Sequence, residues 1–393
     1  MAASGQYLTD AALGLVERGH EVMVVTGRRS YDSPQTIYPS RETWRGIRII
    51  RVESTWFGKD AKWKRALNFG SFMAACALHL ALVPRPDVVI ALTSPPLLSF
   101  LGAWLTKSRS SRFIYWVMDL NPDEAIAAGW LRPDSPIAKV LEIISRCSFN
   151  QADRVIALDH FMRDRIVAKG ISPAKVSVAP LWHRGVFFDA EGRERFRRHH
   201  RLNGKFVVMY SGNHSPCHSL HTLLEAARRL ATDPDIVFCF IGGGTEFSKV
   251  QHAVSQLKNV ICLPYQPAAQ LSAALSSADL QVIVMGDGFV GLVHPCKIYN
   301  LLSVGVPILY IGPERSSIID LLESEGEERH ATSGNHHMPF HVWARHNQPD
   351  VVVDHILRMR DSRTGHGTPT PFLDNRLSPK ITLPNLLQTL ESP

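Results

Sequence analysis

The stretch HPCKIYNLLSVGVPILYIG, residues 294–312, contains a helix, its end and a strand in immediate succession. Ile298, Leu301 and Leu302 recur at the three- and four-residue spacing of a helix with one apolar face. Gly305 followed by a proline is a typical helix stop, and the apolar run after it predicts a strand. A helix that runs directly into a strand is typical of a parallel sheet with helical connections.

The first residues of this stretch, HPCK, raise the question of a metal site, a thiol nucleophile or a phosphate site. Pro295 suits the first turn of the helix, which places Lys297 beside backbone N–H groups that have no intrahelical partner. These groups and the positive end of the helix dipole favour an anion. A nucleophilic Cys296 is disfavoured because no partner base is identifiable. Phosphate is therefore the leading interpretation.

The composition bounds the domain count and the cellular setting. A chain of 393 residues suits two domains of about 150 to 200 residues each. The six cysteines are scattered, which predicts a reducing cytoplasm. We predict neither a signal peptide nor a membrane-spanning helix, since the longest apolar runs fall short of about 20 residues. The net charge of +7 fits a nucleic acid, an anionic membrane or a phosphorylated substrate and does not choose among them.

Both halves of the chain alternate between short apolar strands and helical segments, which predicts two doubly wound α/β domains with parallel sheets. The predicted strands are EVMVVT, GIRIIRV, DVVIALTS, RFIYWVMD, RVIALD, FVVMYSG, IVFCFIGGG, NVICLPY and PILYIG. We assign residues 1–185 to an N-terminal domain, 206–370 to a C-terminal domain and 371–393 to a helix that returns to the N-terminal domain. Residues 186–205 form the predicted hinge, although the basic stretch 190–205 is equally compatible with a solvated surface helix.

The predicted N-terminal domain lacks a strand before its first helix. That helix begins directly after MAASG, whereas in a doubly wound domain a glycine turn of this kind normally follows the first, central strand. We therefore expect this strand to be missing, either because the true start lies upstream or because the gene product is truncated.

Loops that follow strands are the candidate sites, because doubly wound domains bind ligands at the carboxyl ends of their strands. In the loop GNHSPCH, Asn213 and His214 offer donors to the phosphates of a ligand or act as caps. A zinc site in this loop is disfavoured because no second Cys or His pair follows at a suitable distance. The run GGG at 242–244 lacks the spacing of a dinucleotide site and predicts a tight turn that a ligand can approach.

In the N-terminal half, the segment MDLNPDE places Asp119 at the end of a strand and Asp123 after a proline turn. A carboxylate there can act as a base or bind a sugar hydroxyl, and helix capping is the alternative for Asp123. Interleaved Trp, Phe and Lys in WFGKDAKWKR (56–65) suit a bilayer interface. The apolar segment 97–105 either joins this surface or packs in the core.

With these features placed, the sequence resembles the retaining glycosyltransferases of the GT-B fold, family 4, and is similar to their bacterial exopolysaccharide and colanic-acid branch. The segments that carry the resemblance span nearly the whole chain: SGQYLTDAALGLVERGHEV, YWVMDLNPDEAIAAGWL, ADRVIALDHFMRDRIVAKG, YSGNHSPCHSLHTLLEAARRL, FIGGGTEF and HPCKIYNLLSVGVPILYIGPE. The resemblance implies two Rossmann-like domains that face a cleft. It also implies transfer of a sugar from a UDP- or GDP-type donor, bound by the C-terminal domain, to a glycan or lipid-linked glycan acceptor, bound by the N-terminal domain.

The resemblance further implies no metal, no cofactor and no nucleic acid partner, and a cytoplasmic location at the inner face of an anionic membrane. Asp119 and Asp123 would be catalytic, and Ser4 and Gly5 would form an acceptor loop. The residues implied at the donor and its phosphates are Gly212, Asn213, His214, His218, Gly243, Gly244, His294, Lys297 and Asn300.

The chain departs from the family where two glutamates stand eight residues apart, since Leu292 and Asn300 occupy those positions. It also has Asn213 and His218 where the family uses an Arg and a Lys. The ribose-binding carboxylate is thus replaced by an amide, and we expect Lys297 and the helix start to take over the charge of the diphosphate.

Two other functions stay open at this point. A nucleotide-sugar epimerase of the same architecture would need carboxylates and histidines that converge on the sugar, and it would use no acceptor. A non-catalytic scaffold fits the lost glutamates and the missing strand.

Overall fold

The computed structural model describes residues 3–30, 35–58, 62–93, 98–333, 340–362 and 377–392. The chain forms two compact units. Unit 1 contains Met1–Leu181 together with Lys380–Pro393, and unit 2 contains Trp182–Pro379.

Unit 1 has helices on two β-sheets. Its helices are α1 (Ala3–Glu17), α2 (Lys62–Leu82), α3 (Leu98–Arg109), α4 (Asp123–Ala127), α5 (Pro136–Gln151), α6 (His160–Ala168) and the C-terminal helix α14 (Pro379–Glu391). Its strands are β1 (Met23–Gly27), β2 (Arg41–Trp44), β3 (Ile47–Val52), β4 (Val88–Leu92), β5 (Arg112–Trp116), β6 (Arg154–Ala157) and β7 (Val176–Val178). The strand order is β1-β3-β2 in one sheet and β4-β5-β6-β7 in the other.

The division of unit 1 into two sheets differs from the single parallel sheet that the sequence predicts. Strand β2 was not predicted and pairs antiparallel with β3. Within the described residues, β1 pairs with β3 alone and β4 pairs with β5 alone. All five residues of β1 are only partly buried, whereas β5 is buried from its second residue onward. Strands at a sheet edge have one neighbour, so they keep more of their surface accessible.

Local sequence explains the ends of several helices in unit 1. The hydroxyl of Ser135 accepts a hydrogen bond from the backbone N–H of Ala138, and Pro136 occupies the first turn of α5. The carboxylate of Asp159 caps α6 in the same way by accepting from the N–H of Met162, 2.8 Å away. At the other end of the chain, α14 lies against α1, where a Cβ on Gly14 would come within 2.6 Å of the Leu387 side chain.

Unit 2 has one six-stranded sheet. Its helices are α7 (Ala190–His199), α8 (His221–Arg229), α9 (Phe247–Ala253), α10 (Leu271–Ser276), α11 (Lys297–Val304), α12 (Ser317–Ser333) and α13 (Pro349–Asp361). Its strands are β8 (Phe206–Asn213), β9 (Ile236–Gly243), β10 (Val260–Leu263), β11 (Leu280–Val284), β12 (Ile308–Ile311) and β13 (Val342–Ala344). All pairs are parallel, in the order β10-β9-β8-β11-β12-β13, so the order reverses between β8 and β11.

The basic stretch that the sequence assigned to a hinge or a surface helix contains α7. Asp189 caps this helix by accepting from the N–H of Gly192. Two of its basic side chains are turned away from solvent, Arg197 fully and Arg193 in large part, because they pair with the buried carboxylate of Asp279 at 3.0 and 2.6 Å. Helix α7 is therefore anchored on unit 2, and a hinge at 186–205 stays a prediction.

Candidate active site

The loops at the carboxyl edge of the unit 2 sheet lie together because all six strands are parallel. The pairing of β8 with β9 continues to the last residues of both strands, where Gly212 lies opposite Gly242 and Asn213 opposite Gly243. The N–H of His214 then donates to the Gly243 carbonyl at 2.8 Å. The loops after β8 and β9, both predicted to bind the sugar donor, are thus joined by backbone hydrogen bonds.

The glycines of these loops are required by close packing. Gly242 has φ +143°, and a Cβ there would lie 1.9 Å from the Gly212 carbonyl oxygen. Gly244 has φ +124°, and a Cβ there would lie 2.3 Å from Oδ1 of Asn213. Both angles are rare for residues that carry a side chain. The predicted tight turn is therefore present, and its immediate cause is the contact between the loops.

Lys297 is the first residue of α11, as the sequence predicts, although Pro295 precedes the helix instead of lying in its first turn. The reason is that Cys296 occupies the N-cap position. Nζ of Lys297 lies 3.5 Å from the centroid of the Tyr210 ring, and it is buried with no hydrogen-bond partner among the described residues. Burial lowers the pKa of Lys297 to about 7.

The two histidines of the β8 loop lie near this lysine and are neutral at pH 7. His214 is completely buried, with Nδ1 3.1 Å from the Gly212 carbonyl oxygen. Burial, and then the charge of Lys297, lower the pKa of His214 to about 4. The same causes lower the pKa of His218 to about 3, and its Nδ1 lies 2.8 Å from the Val284 carbonyl oxygen. Since a carbonyl only accepts, each Nδ1 carries the proton and each Nε2 is an acceptor.

The alternative of a zinc site in this loop finds no support. Across the described part of the chain, His, Cys, Asp and Glu side chains form no group of three that could hold a metal ion. Cys217 is buried, and its carbonyl accepts from the N–H of Gly286, so the loop is tied to the segment after β11 instead.

His294 and Asn300 make contacts that the sequence could not reveal. His294 is buried, with Nε2 2.9 Å from the Tyr299 hydroxyl and Nδ1 3.4 Å from that of Ser317. Oδ1 of Asn300 accepts from the backbone N–H of Arg184 at 3.1 Å. The amide that replaces the expected carboxylate therefore joins α11 to the start of unit 2.

In unit 1, Asp119 lies in the loop after β5, and its N–H donates to Oγ1 of Thr93 at 3.2 Å. Burial, reinforced by the negative charge of Glu124, raises the pKa of Asp119 to about 7. A cavity of about 110 Å³ lies next to this loop. Its polar lining comes from Thr93, Ser99, Tyr115, Asn121 and Ser145.

The local structure at three residues of unit 1 differs from what the sequence predicts. Asp123 does not cap α4, because Pro122 is at the N-cap position and the Asp123 carboxylate pairs with Nζ of Lys169 at 2.7 Å. Ser4 and Gly5 do not form a loop, because they lie in the first turns of α1. The carbonyl of Gly5 there accepts a hydrogen bond from Oγ1 of Thr9 at 2.8 Å.

Sequence reasoning missed two residues near these sites. Tyr210 lies in an apolar strand and looks like a core residue, yet its ring faces Lys297. Lys169 lies at the end of α6, far along the chain from Asp123. Tyr210 belongs to a continuous apolar run in β8, so nothing in the sequence singles out its ring, and nothing in the sequence joins Lys169 to Asp123.

Comparison with known proteins identifies the family and the fold of this chain. Residues 3–182 match the family model described as a glycosyl transferase 4-like domain, and residues 192–310 match the model described as glycosyl transferases group 1. WcaI of Escherichia coli (strain K12), named as a colanic acid biosynthesis glycosyl transferase, is 26% identical over 77% of each chain. WbjE of Pseudomonas aeruginosa, named as a glycosyltransferase, is 26% identical over 60% of each chain.

Solved structures share the fold at low identity. Anabaena HepE, solved with UDP and glucose, superposes with a TM-score of 0.71 at 12% identity over 100% of this chain and 96% of its own. WaaG, described as a glycosyltransferase involved in lipopolysaccharide biosynthesis, superposes with a TM-score of 0.65. Its identity is 12%, over 100% of this chain and 97% of its own. The predicted α/β, GT-B fold class is confirmed. With a glycosyl transferase 4-like domain followed by a glycosyl transferases group 1 domain, the chain is a glycosyltransferase.

Proposed function

We propose that this glycosyltransferase moves a sugar from a UDP- or GDP-type donor to a lipid-linked saccharide, with retention of the anomeric configuration. One observation carries the donor assignment: the amine of Lys297 is buried at a helix start without a hydrogen-bond partner in the described residues. A buried amine of this kind is costly unless a ligand supplies an acceptor. A diphosphate supplies one and also satisfies the N–H groups of the first turn of α11.

The comparisons support this proposal through what the similar proteins bind or make. HepE was solved with UDP and glucose, and the names of WcaI and WaaG refer to colanic acid and lipopolysaccharide. We extend this to a nucleotide-sugar donor, a place in exopolysaccharide or cell-surface glycan synthesis, and a cytoplasmic location.

The chemistry follows from where charge develops. Breaking the bond between the sugar and the diphosphate places negative charge on the leaving group, so Lys297 stabilises the transition state more than the ground state. With retention, the acceptor attacks from the face that the diphosphate leaves, and the leaving phosphate accepts the proton of the acceptor hydroxyl. Because Lys297 and the helix start supply positive charge, we propose that transfer needs no metal, and we expect it to continue in excess EDTA.

Unit 1 supplies the acceptor side in this proposal. The Asp119 carboxyl, with its raised pKa, is suited to assist near neutral pH by taking up the proton of the acceptor hydroxyl and passing it on to the leaving phosphate, which is its final acceptor. The hydroxyl and amide groups of the adjoining cavity are suited to sugar hydroxyls. Asp123 is held by Lys169, so it positions the loop instead of contacting substrate.

A panel of nucleotide sugars tests the proposed function. Thermal shifts of the full chain identify the donor, and release of free nucleotide is then measured with and without a lipid-linked saccharide. Acceptor-dependent release supports the transferase. A change in the nucleotide sugar without acceptor would identify an epimerase, and the absence of any turnover with sound donor binding would identify a scaffold.

Replacing Asp119 with Asn should lower the rate of transfer by roughly 100-fold or more, the usual contribution of proton transfer by a positioned side chain. Donor affinity should stay nearly unchanged, because Asp119 belongs to unit 1. Initial rates and calorimetric donor affinity check both statements. The exposed Asp134 provides the matched control, since Asp134→Asn should change neither. A collapse of donor affinity in a folded Asp119→Asn variant would refute the assignment.

The affinity for a nucleoside diphosphate should fall as pH rises above about 7. The pKa of Lys297 is lowered to about 7 in the free protein, and the ligand binds the protonated form. Affinity should therefore fall by up to tenfold per pH unit. The fall begins at about pH 7 and ends at the higher pKa that Lys297 has in the complex. Calorimetry in buffers of different ionisation enthalpy should show proton uptake. The parent nucleoside should bind without this pH dependence, and equal dependence for both ligands would contradict the role of Lys297.

A further inference from the structure

Among the described side chains of α2, the solvent-facing side is apolar from Trp63 to Leu82. Among the α2 side chains that the structure describes, the exposed ones are Trp63, Leu67, Gly70, Ala74, Leu78, Ala81 and Leu82. They recur every three or four residues, so they share one face. Trp63 is 60% exposed, Leu78 69% and Leu82 85%. A surface helix normally presents polar residues to solvent, whereas α2 presents apolar ones.

Helices α3 and α5 extend the same apolar surface. Helix α3 lies between α2 and α5 and contacts both, and it covers β4 and β5 of the four-stranded sheet. Its exposed aromatic residues, Phe100 and Trp104, are one turn apart. On α5 the exposed apolar residues are Ile137, Val140 and Ile143, at helical spacing. The outer side of this helical layer is called the apolar face below.

Positive charge borders the apolar face. Helices α2 and α3 contain no Asp or Glu. Lys107 on α3 and Lys139 on α5 are exposed, and Lys64 lies over the Trp63 ring at 5.7 Å. The single acidic residue of α5, Glu142, already pairs with Arg146 at 2.8 Å and with Lys169 at 2.9 Å. The border therefore attracts anions.

This combination fits a bilayer surface better than a second copy of the chain. Two copies joined through this face would bring their lysines together, which costs free energy. An anionic bilayer accepts apolar side chains at the acyl boundary and lysines at the headgroups, and Trp is enriched at that depth. No helix in the described part of the chain is long and apolar enough to cross a membrane.

We propose that the apolar face of α2, α3 and α5 docks unit 1 on an anionic lipid bilayer. The sequence indicated only segments 56–65 and 97–105 for such a surface, whereas the structure adds the C-terminal half of α2 and the outer side of α5. Docking does not depend on the transfer reaction. Its role in meeting a lipid-linked acceptor rests on the proposed function.

Co-sedimentation of the full chain with vesicles tests the proposal. The chain should bind vesicles of phosphatidylcholine with 30% phosphatidylglycerol, and bind pure phosphatidylcholine at least tenfold more weakly. The double variant Trp63→Ser/Trp104→Ser should lose at least tenfold in vesicle affinity, because two large apolar side chains no longer insert. Trp44→Ser is the matched control, since Trp44 is exposed on β2 and belongs to none of the three helices, and this variant should bind as the unaltered chain does.

Three outcomes would overturn the docking proposal. Vesicle binding that is absent, or that the double variant retains in full, would exclude this face. Sedimentation of the lipid-free chain as a dimer that the double variant dissociates would assign the face to a second copy. UDP affinity, measured on the same variants, should not change. Loss of vesicle binding with intact UDP affinity thus separates failure of docking from failure of the proposed function.

Discussion

Replacing Lys297 with Met should weaken nucleoside diphosphate binding by roughly 10- to 150-fold, the effect of a charge-assisted hydrogen bond worth about 1.5 to 3 kcal/mol. Binding of the parent nucleoside should change little, because the amine lies at the start of α11, where the phosphates are proposed to bind. Calorimetric titration of both ligands measures the difference. Equal losses for nucleoside and nucleoside diphosphate would contradict the phosphate site.

The same substitution should make the free protein more stable. Lys297 has a lowered pKa and no hydrogen-bond partner among the described residues, so its charged form is disfavoured by folding. Methionine removes that cost of about 1 to 3 kcal/mol, less the attraction between the amine and the Tyr210 ring. The gain should be largest below pH 7 and should shrink as pH rises towards the unfolded pKa. Lys249→Met, at an exposed lysine of α9, should change neither stability nor binding.

The second large effect concerns Asp279 and the folding of unit 2. Asp279→Ala should lower the free energy of unfolding by about 3 to 5 kcal/mol, because it leaves the guanidinium of Arg197, only 3% exposed, without its anion. The backbone N–H of Val207, which donates to the same carboxylate at 2.8 Å, also loses its acceptor. Urea unfolding followed by circular dichroism measures the loss.

Matched variants separate the buried network from ordinary ion pairs. Asp350→Ala removes one of the two carboxylates that pair with Arg229, the one that is 83% exposed, and it should cost about 0 to 1 kcal/mol. Adding Arg197→Met to Asp279→Ala should restore part of the lost stability, because the unpaired buried charge is gone. If Asp279→Ala costs no more than Asp350→Ala, the anchoring of α7 through this carboxylate is wrong.

The sequence by itself determined what depends on neighbouring residues. Periodicity located nine strands, β1, β3 to β6, β8 to β10 and β12, because an apolar run between turn residues is a local signal. The local start and stop signals of the helix placed Lys297 at the start of α11 within one residue. Such signals, here a proline near the start and a glycine at the end, depend only on residues a few positions apart. Parallel strands then put the predicted loops of unit 2 at one edge.

The tertiary structure decided what depends on residues far apart in the chain. The sequence could not indicate that Lys297 meets the ring of Tyr210, or that Asp123 pairs with Lys169 instead of capping a helix. It could not show that Arg197 is buried, because a basic helix looks solvated until Asp279 is placed beside it. Helical spacing showed which residues of α2 share a face. Only the packing of α2 against the sheet and α3 decided that Leu78 faces outward, because periodicity identifies a face and not what covers it.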